Sequence, residues 1–357
     1  MKRLWVWAAV AVLLVGGCGG KKAHRLSMAD KINHVGKTDR EKNGLVGPVH
    51  KVVVENAALS ARSGKPVEGR SWRSSVRVFG PDGKVAKISS YGPDGSETSK
   101  TVFLRSVKGG VRTVEMIRYV KGALRSRMVD SYNAKGKSGE TLHYGANGKL
   151  VGRQVSTFDD AGHVIRLDFY KANGSLESKL VPKYNASGDQ TEWAWYTPDG
   201  SPVSRTTMTY DANGNGTEMC EYGYAEGSSK EQLASRTVTK PLAQGNGYEE
   251  MRYYGDGTLR DRSISRFDAH WNPTERIEYD AKGRLKSKLT HTYDAKGNAL
   301  TKAIWNTDGS LKSKTSYAYT FDSRGNWVKQ IRSEIAGKSS KSQLLPVEVM
   351  RRTITYY

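Results

Sequence analysis

The sequence predicts an all-β chain, a long antiparallel meander of tandem β-hairpins whose sheet curls or coils. Three observations predict it. An aromatic residue followed four positions later by glycine recurs through most of the chain, the recurrence keeps a 26-residue beat carrying two turns, and apolar and charged side chains alternate between the turns.

The motif runs from Phe79-Gly83 through Tyr91-Gly95, Tyr144-Gly148, Phe158-Gly162 and Tyr170-Gly174 to Phe321-Gly325. From Tyr132 to Tyr210 the aromatics advance by 12 and 14 residues in strict alternation, and they do so again from Tyr253 to Trp305. Segments such as Pro81-Asp82-Gly83 and Asp280-Ala281-Lys282-Gly283 place Asp, Asn or Pro early and Gly last. That order suits a type I turn closed by a residue in the left-handed region, where a Cβ is penalised. At Phe267 the closing position is Trp271 instead, followed by Asn272.

Between turns, Leu285, Leu289 and Tyr293 share one parity while Lys286 and Lys288 take the other. Leu311, Tyr317 and Tyr319 likewise oppose Lys312 and Lys314, and Leu259 and Phe267 oppose Arg260, Arg262 and Arg266. Strands of this kind joined by tight turns pair antiparallel, and their apolar face needs cover. The beat blurs in three places: 100–131, with a shortened turn at Tyr119–Gly122; 223–250, which reads as a longer loop; and 336–346, which reads as a loop before a last strand at Val347–Tyr357.

The N-terminus carries an export signal. Lys2 and Arg3 precede an apolar run from Leu4 to Val15, too short to span a bilayer comfortably. The run ends in Val15-Gly16-Gly17-Cys18, which resembles the bacterial lipobox, with Val15 where leucine is usual. The resemblance implies removal of a signal peptide at 1–17, acylation of Cys18 and anchoring to membrane lipid. Gly19 after the cysteine implies, by the same resemblance, the outer membrane. A polar stretch completes the lipidated N-terminus and flexible tether, 18–43, and the hairpin domain is then 44–357. With Cys18 acylated, Cys220 has no intrachain partner.

Composition bounds function. The chain has 357 residues, mean hydropathy -0.64 and net charge +21, and removal of Lys2 and Arg3 leaves +19. Such a surplus attracts polyanions, although lysines spread along exposed strands also blunt sheet edges. The candidate polyanion-binding residues are Lys286, Lys288, Lys312, Lys314, Arg260, Arg262 and Arg266. Trp193 and Trp195, at i and i+2 on one strand, share a face and suit either sugar stacking or core packing. Asp211-Ala-Asn213-Gly-Asn215-Gly216 matches the first half of a calcium loop, but its twelfth position is Tyr222 rather than glutamate, which favours a plain turn. The seven histidines form no spacing that builds a zinc site, and no nucleophile elbow, phosphate loop or dinucleotide fingerprint occurs. No catalytic residue, metal or cofactor is therefore expected, and no specific nucleic acid.

Strings such as Tyr279-Asp-Ala-Lys-Gly-Arg-Leu285 and Phe321-Asp-Ser-Arg-Gly-Asn326 resemble the tyrosine-aspartate repeats of the Rhs family. The resemblance covers 79–325 and implies a β-sheet shell; the 26-residue period and the absence of a toxin domain depart from it. The array also resembles uncharacterised repeat lipoproteins. The expected function is a non-enzymatic envelope lipoprotein presenting an extended basic β surface to anionic polysaccharide, lipopolysaccharide or an unknown protein partner. A polysaccharide hydrolase or lyase and a purely structural spacer are the rivals. A transmembrane barrel is disfavoured by Ser178, Ser287 and Ser313 at positions that would face lipid.

Overall fold

A computed structural model describes residues 37–62, 65–133, 138–225, 230–335 and 344–357. The signal peptide, Cys18 and the tether up to residue 36 lie outside these, as do Gly136 and residues 336–343 of the expected loop.

The described chain holds one short helix, α1 (Asp39–Lys42), and strands β1 (Val49–Arg62) to β23 (Leu344–Tyr356). Each strand pairs antiparallel with the next, except at the start. There β2 (Lys65–Glu68) and β3 (Trp72–Phe79) lie end to end along the same edge of β1. The other edge of β1 pairs with β23 through nine residue pairs from Val49↔Tyr356 to Ala58↔Glu348. The meander therefore closes on itself as a 22-strand antiparallel barrel. The all-β hairpin meander is as the sequence predicts. The open, curled or coiled sheet is not, and neither is the Rhs-like repeat shell. Closure between the first and last strands replaces both, because a closed sheet leaves no unpaired edge.

The 12/14 alternation has a geometric consequence. Ser156 (β9, Leu150–Phe158), Leu180 (β11, Leu176–Tyr184) and Ser204 (β13, Pro202–Tyr210) share one hydrogen-bonding level through Leu167 and Trp195. They are 24 residues apart, whereas the turns repeat every 26, so each hairpin steps two residues along its neighbour. That stagger tilts the strands by about 35° and sets a diameter of about 40 Å between opposite backbones.

The turns form as their sequences require. In the hairpin at 280–284, Gly283 at φ 77° donates its N–H to Asp280 O (3.0 Å), and Asp280 N–H donates to Arg284 O (3.0 Å). Trp271 takes the same left-handed conformation at φ 65°. The turn at 121–122 is a two-residue reversal with Lys121 at φ 49° and Gly122 at φ 77°, as the shortened motif suggests. The stretch 223–250 is not a long loop. It supplies all of β15 (Glu231–Pro241) and half of β16 (Asn246–Tyr254), and the extra residues lengthen strands whose alternating Thr, Val and Arg pair normally. The last strand begins at Leu344, three residues before the expected start.

Residues 39–43, assigned by composition to the tether, fold as α1 and its cap. Thr38 Oγ1 accepts from Glu41 N–H (3.3 Å), and Glu41 Oε2 accepts from Thr38 N–H (2.7 Å). Just beyond, Leu45 is buried with Val49, Val52, Phe79 and Val85. This is the barrel's hydrophobic cluster, and it sits at the seam where β23, β1 and β3 meet. Among the described residues only thirteen apolar side chains are buried, so the rest of the wall has no packed core.

Candidate functional site

Register sorts the wall into two faces. On one, most strands running away from the 280–284 end carry a cation that stacks on the aromatic ring of the next strand. Arg127 lies 4.8 Å from the Tyr144 ring centre, Arg153 4.5 Å from Tyr170, Arg205 4.5 Å from Tyr222 and Arg262 5.1 Å from Tyr279. Lys288 takes the same place over Trp305 at 5.8 Å. Arg127 and Arg153, and again Arg262 and Lys288, recur at the 26-residue spacing, and the five make a belt at constant height.

The belt is charge-compensated. The residue thirteen before the cation is glutamate in four hairpins, pairing Glu140 with Arg153 (3.3 Å), Glu192 with Arg205 (3.1 Å), Glu249 with Arg262, and Glu275 with Lys288 (3.0 Å). Arg205 also holds Glu231 at 2.7 Å. Both partners keep the Arg205 guanidinium protonated well above its ordinary range, and hydrogen bonds from Arg205 and Tyr224 hold the Glu231 carboxyl below its own. Burial pushes the Glu192 and Glu275 carboxyls up, but hydrogen bonds from their cations outweigh it and hold both below the ordinary carboxylate range, so they stay ionised.

The compensation fails between β20 (Ala299–Trp305) and β21 (Leu311–Phe321). Thirteen residues before Lys314 stands Thr301, and among the described residues neither Lys286, Lys312 nor Lys314 lies within ion-pair distance of a carboxylate. The structure thus divides the seven predicted cations. Arg260, Arg262, Arg266 and Lys288 are paired with Asp261, Glu249, Glu275 and Glu275 respectively. Lys286, Lys312 and Lys314 are not. All seven lie on β17 (Leu259–Phe267), β19 (Leu285–Tyr293) and β21 (Leu311–Phe321), alternate strands of one face. Sequence reasoning found the patch but missed the glutamates that divide it; the thirteen-residue Glu-to-cation spacing was the signal.

The other face carries Leu, Tyr, Ser and Trp, but charges too. Trp195 stacks on Phe169 at 5.1 Å and, with Trp193, is half-buried in the wall. Arg252 pairs with Glu250 and Asp261 at mid-strand, and Arg332 with Glu348. Neither face therefore offers the uninterrupted apolar band that lipid requires.

Two further expectations are resolved by contacts. Asp211 accepts from Asn213 N–H (2.8 Å), Asn215 N–H (2.9 Å) and Asn215 Nδ2 (2.9 Å). Burial pushes its carboxyl up, but these bonds outweigh burial and leave it below the ordinary range. The turn consumes the carboxylate that a cation would need. Cys220 is a buried free thiol at the position of Ala194 and Ala303, and burial raises its pKa.

No family model matches the sequence, and no curated protein does. Two solved structures are similar in part: a porin-like protein from Bacteroides uniformis ATCC 8492 (13% identity, TM-score 0.24) and one from Bacteroides vulgatus ATCC 8482 (10%, 0.19). Each alignment covers 87% of this chain and 98% of the other. At such scores the likeness carries no argument, and the barrel rests on its own strand pairing.

Proposed function

We propose that the chain is a non-enzymatic envelope protein that displays the basic patch of β17, β19 and β21 to an anionic polysaccharide or lipopolysaccharide. In this reading acylated Cys18 holds it to a membrane, with Gly19 favouring the outer one. The observation that carries it is the break in charge compensation, which leaves Lys286, Lys312 and Lys314 without carboxylate partners among the described residues, beside four paired cations. A paired guanidinium is already satisfied, whereas unpaired ammonium groups recurring at 26 residues form an array that a polymer of repeating charge can match.

On this face Arg260, Arg266, Lys286 and Lys312 are exposed, within reach of a large ligand.

The test is retention of the mature chain on immobilised heparin or lipopolysaccharide as salt rises. Wild type is expected to be retained at low salt and released by a few hundred millimolar, as surface charge is screened. The triple variant K286Q/K312Q/K314Q is expected to elute clearly earlier, while R262Q, which removes a paired cation, shifts little. No retention of wild type at low salt sinks the reading.

A further inference from the structure

Two arginines at the seam have no use in the belt or the patch. Arg77 on β3 and Arg352 on β23 flank β1 on the leucine face, where Val52 pairs with Arg77 and Val54 with Arg352. Together with Asn43, Leu45, Ser74, Ser75 and Met350 they line a cavity of about 250 Å³ roofed by the N-terminal segment.

The chemistry of this cavity is unusual. Arg77 Nε and the Nε and Nη1 atoms of Arg352 are buried without a hydrogen-bond partner among the described residues. Arg77 Nη1 donates to Asn43 Oδ1, and Asp39, whose Oδ2 accepts from Val85 N–H (2.8 Å), lends it distant charge. Arg352 has no carboxylate in ion-pair distance among the described residues. One face of its guanidinium is covered by the Trp327 ring, 3.4 Å from the ring centre, leaving its edge for hydrogen bonding. Burial, with Arg77 beside it, presses Arg352 down to about 10. Two like charges held between Val52 below and Leu45 above are costly unless something negative sits between them. At about 30 Å³ per water, the space takes several waters or one small oxyanion.

We propose that this seam cavity binds a small oxyanion, a phosphate, sulfate or carboxylate group, through the converging donors of Arg77 and Arg352. The planar fork of a guanidinium matches the paired oxygens of such groups. Because the N-terminal segment roofs the cavity and the first and last strands form its floor, the anion also fastens the closure of the barrel. Nothing in this depends on the basic patch, which lies elsewhere on the wall.

Thermal unfolding of the mature chain tests it, with inorganic phosphate, sulfate and acetate titrated separately at ionic strength held constant with chloride. At least one is expected to raise Tm saturably. A phosphate or sulfate response without acetate identifies a tetrahedral group, and the reverse a carboxylate. R352M is expected to abolish the saturable response and, lacking an unpaired buried charge, to melt no lower than wild type without anion. Ser75→Leu, which fills the cavity and keeps both guanidinium groups, is expected to weaken the response at least tenfold; K286Q/K312Q/K314Q leaves it intact. The proposal falls if none of the three anions acts saturably on wild type, or if either folded cavity variant responds as wild type does.

Discussion

The wall and the seam of this barrel solve the same problem differently. In the wall from β8 (Ser138–Tyr144) to β14 (Gly216–Tyr224), each hairpin touches its neighbours through ladder hydrogen bonds, cation–ring stacks and ion pairs, with few fully buried apolar side chains. At the seam, strands from opposite ends of the chain meet, and there Leu45, Val49, Val52, Phe79 and Val85 are buried together. The difference teaches where a repeat protein needs a core. Adjacent hairpins find each other at little entropic cost, whereas joining β1 to β23 closes a loop of nearly the whole chain and needs stronger contacts to offset it.

The largest expected effect follows from that contrast. Phe79 is 1% exposed at the seam, and Phe79→Ala is expected to cost about 3–5 kcal/mol in denaturant unfolding. Leu180→Ala in the half-buried wall should cost about half as much or less. Equal costs would mean that the wall has a hidden core of its own. Asn326 sharpens the comparison. Fully buried, it accepts from Val46 N–H (2.7 Å) and donates to Val46 O (2.9 Å) and Tyr356 Oη (2.7 Å), tying the N-terminal segment to the last hairpin and last strand. Asn298, its counterpart one repeat earlier, bonds within its own turn, to Asp294. Asn326→Ala is expected to destabilise by about 1–3 kcal/mol more than Asn298→Ala.

The same contrast explains what could be read from sequence. The hairpins were legible because local chemistry makes them: Asp280 and Gly283 specify their turn without help from the rest of the chain. Closure was not legible, because the pairing of Val53 with Thr353 joins residues 300 apart and leaves no periodic mark. The 12/14 alternation did hold the stagger a barrel needs, though stagger alone does not say how many strands close it. At the site, repeat-spaced cations were visible. The Arg77–Arg352 cavity was not, since the pair is brought together only by closure.

A mid-sized effect comes from one glycine on each side of the comparison. Gly283 sits at φ 77° with open space around it, so Gly283→Ala should cost about 1–2 kcal/mol from backbone strain alone. Gly83, at φ 76°, has Thr38 and Arg40 atoms 3.0 Å from where a Cβ would lie. Gly83→Ala therefore adds displacement of the α1 segment to the same strain, and should cost measurably more by chemical denaturation. If the two substitutions match, α1 contributes nothing to the seam.

The smallest effect belongs to the belt. Its pairs are partly exposed, and such pairs contribute less than about 1 kcal/mol each, so single charge removals should barely move stability at neutral pH. Acid reads the belt collectively instead. Hydrogen bonds from Arg236 and Arg205 hold the Glu218 and Glu231 carboxyls below their ordinary range in the folded chain. A carboxyl depressed by folding adds stability above its unfolded pKa, and that stability is lost as pH falls through the lower, folded value. The urea midpoint should therefore be flat from pH 7 to about 5 and drop below about pH 4. E218Q/E231Q should flatten the lower limb while leaving the neutral midpoint nearly unchanged. A midpoint that falls equally in wild type and variant would assign acid sensitivity to the turn aspartates instead. Asp159 and Asp280, lowered chiefly by backbone N–H groups of their own turns, would be the first of those to replace.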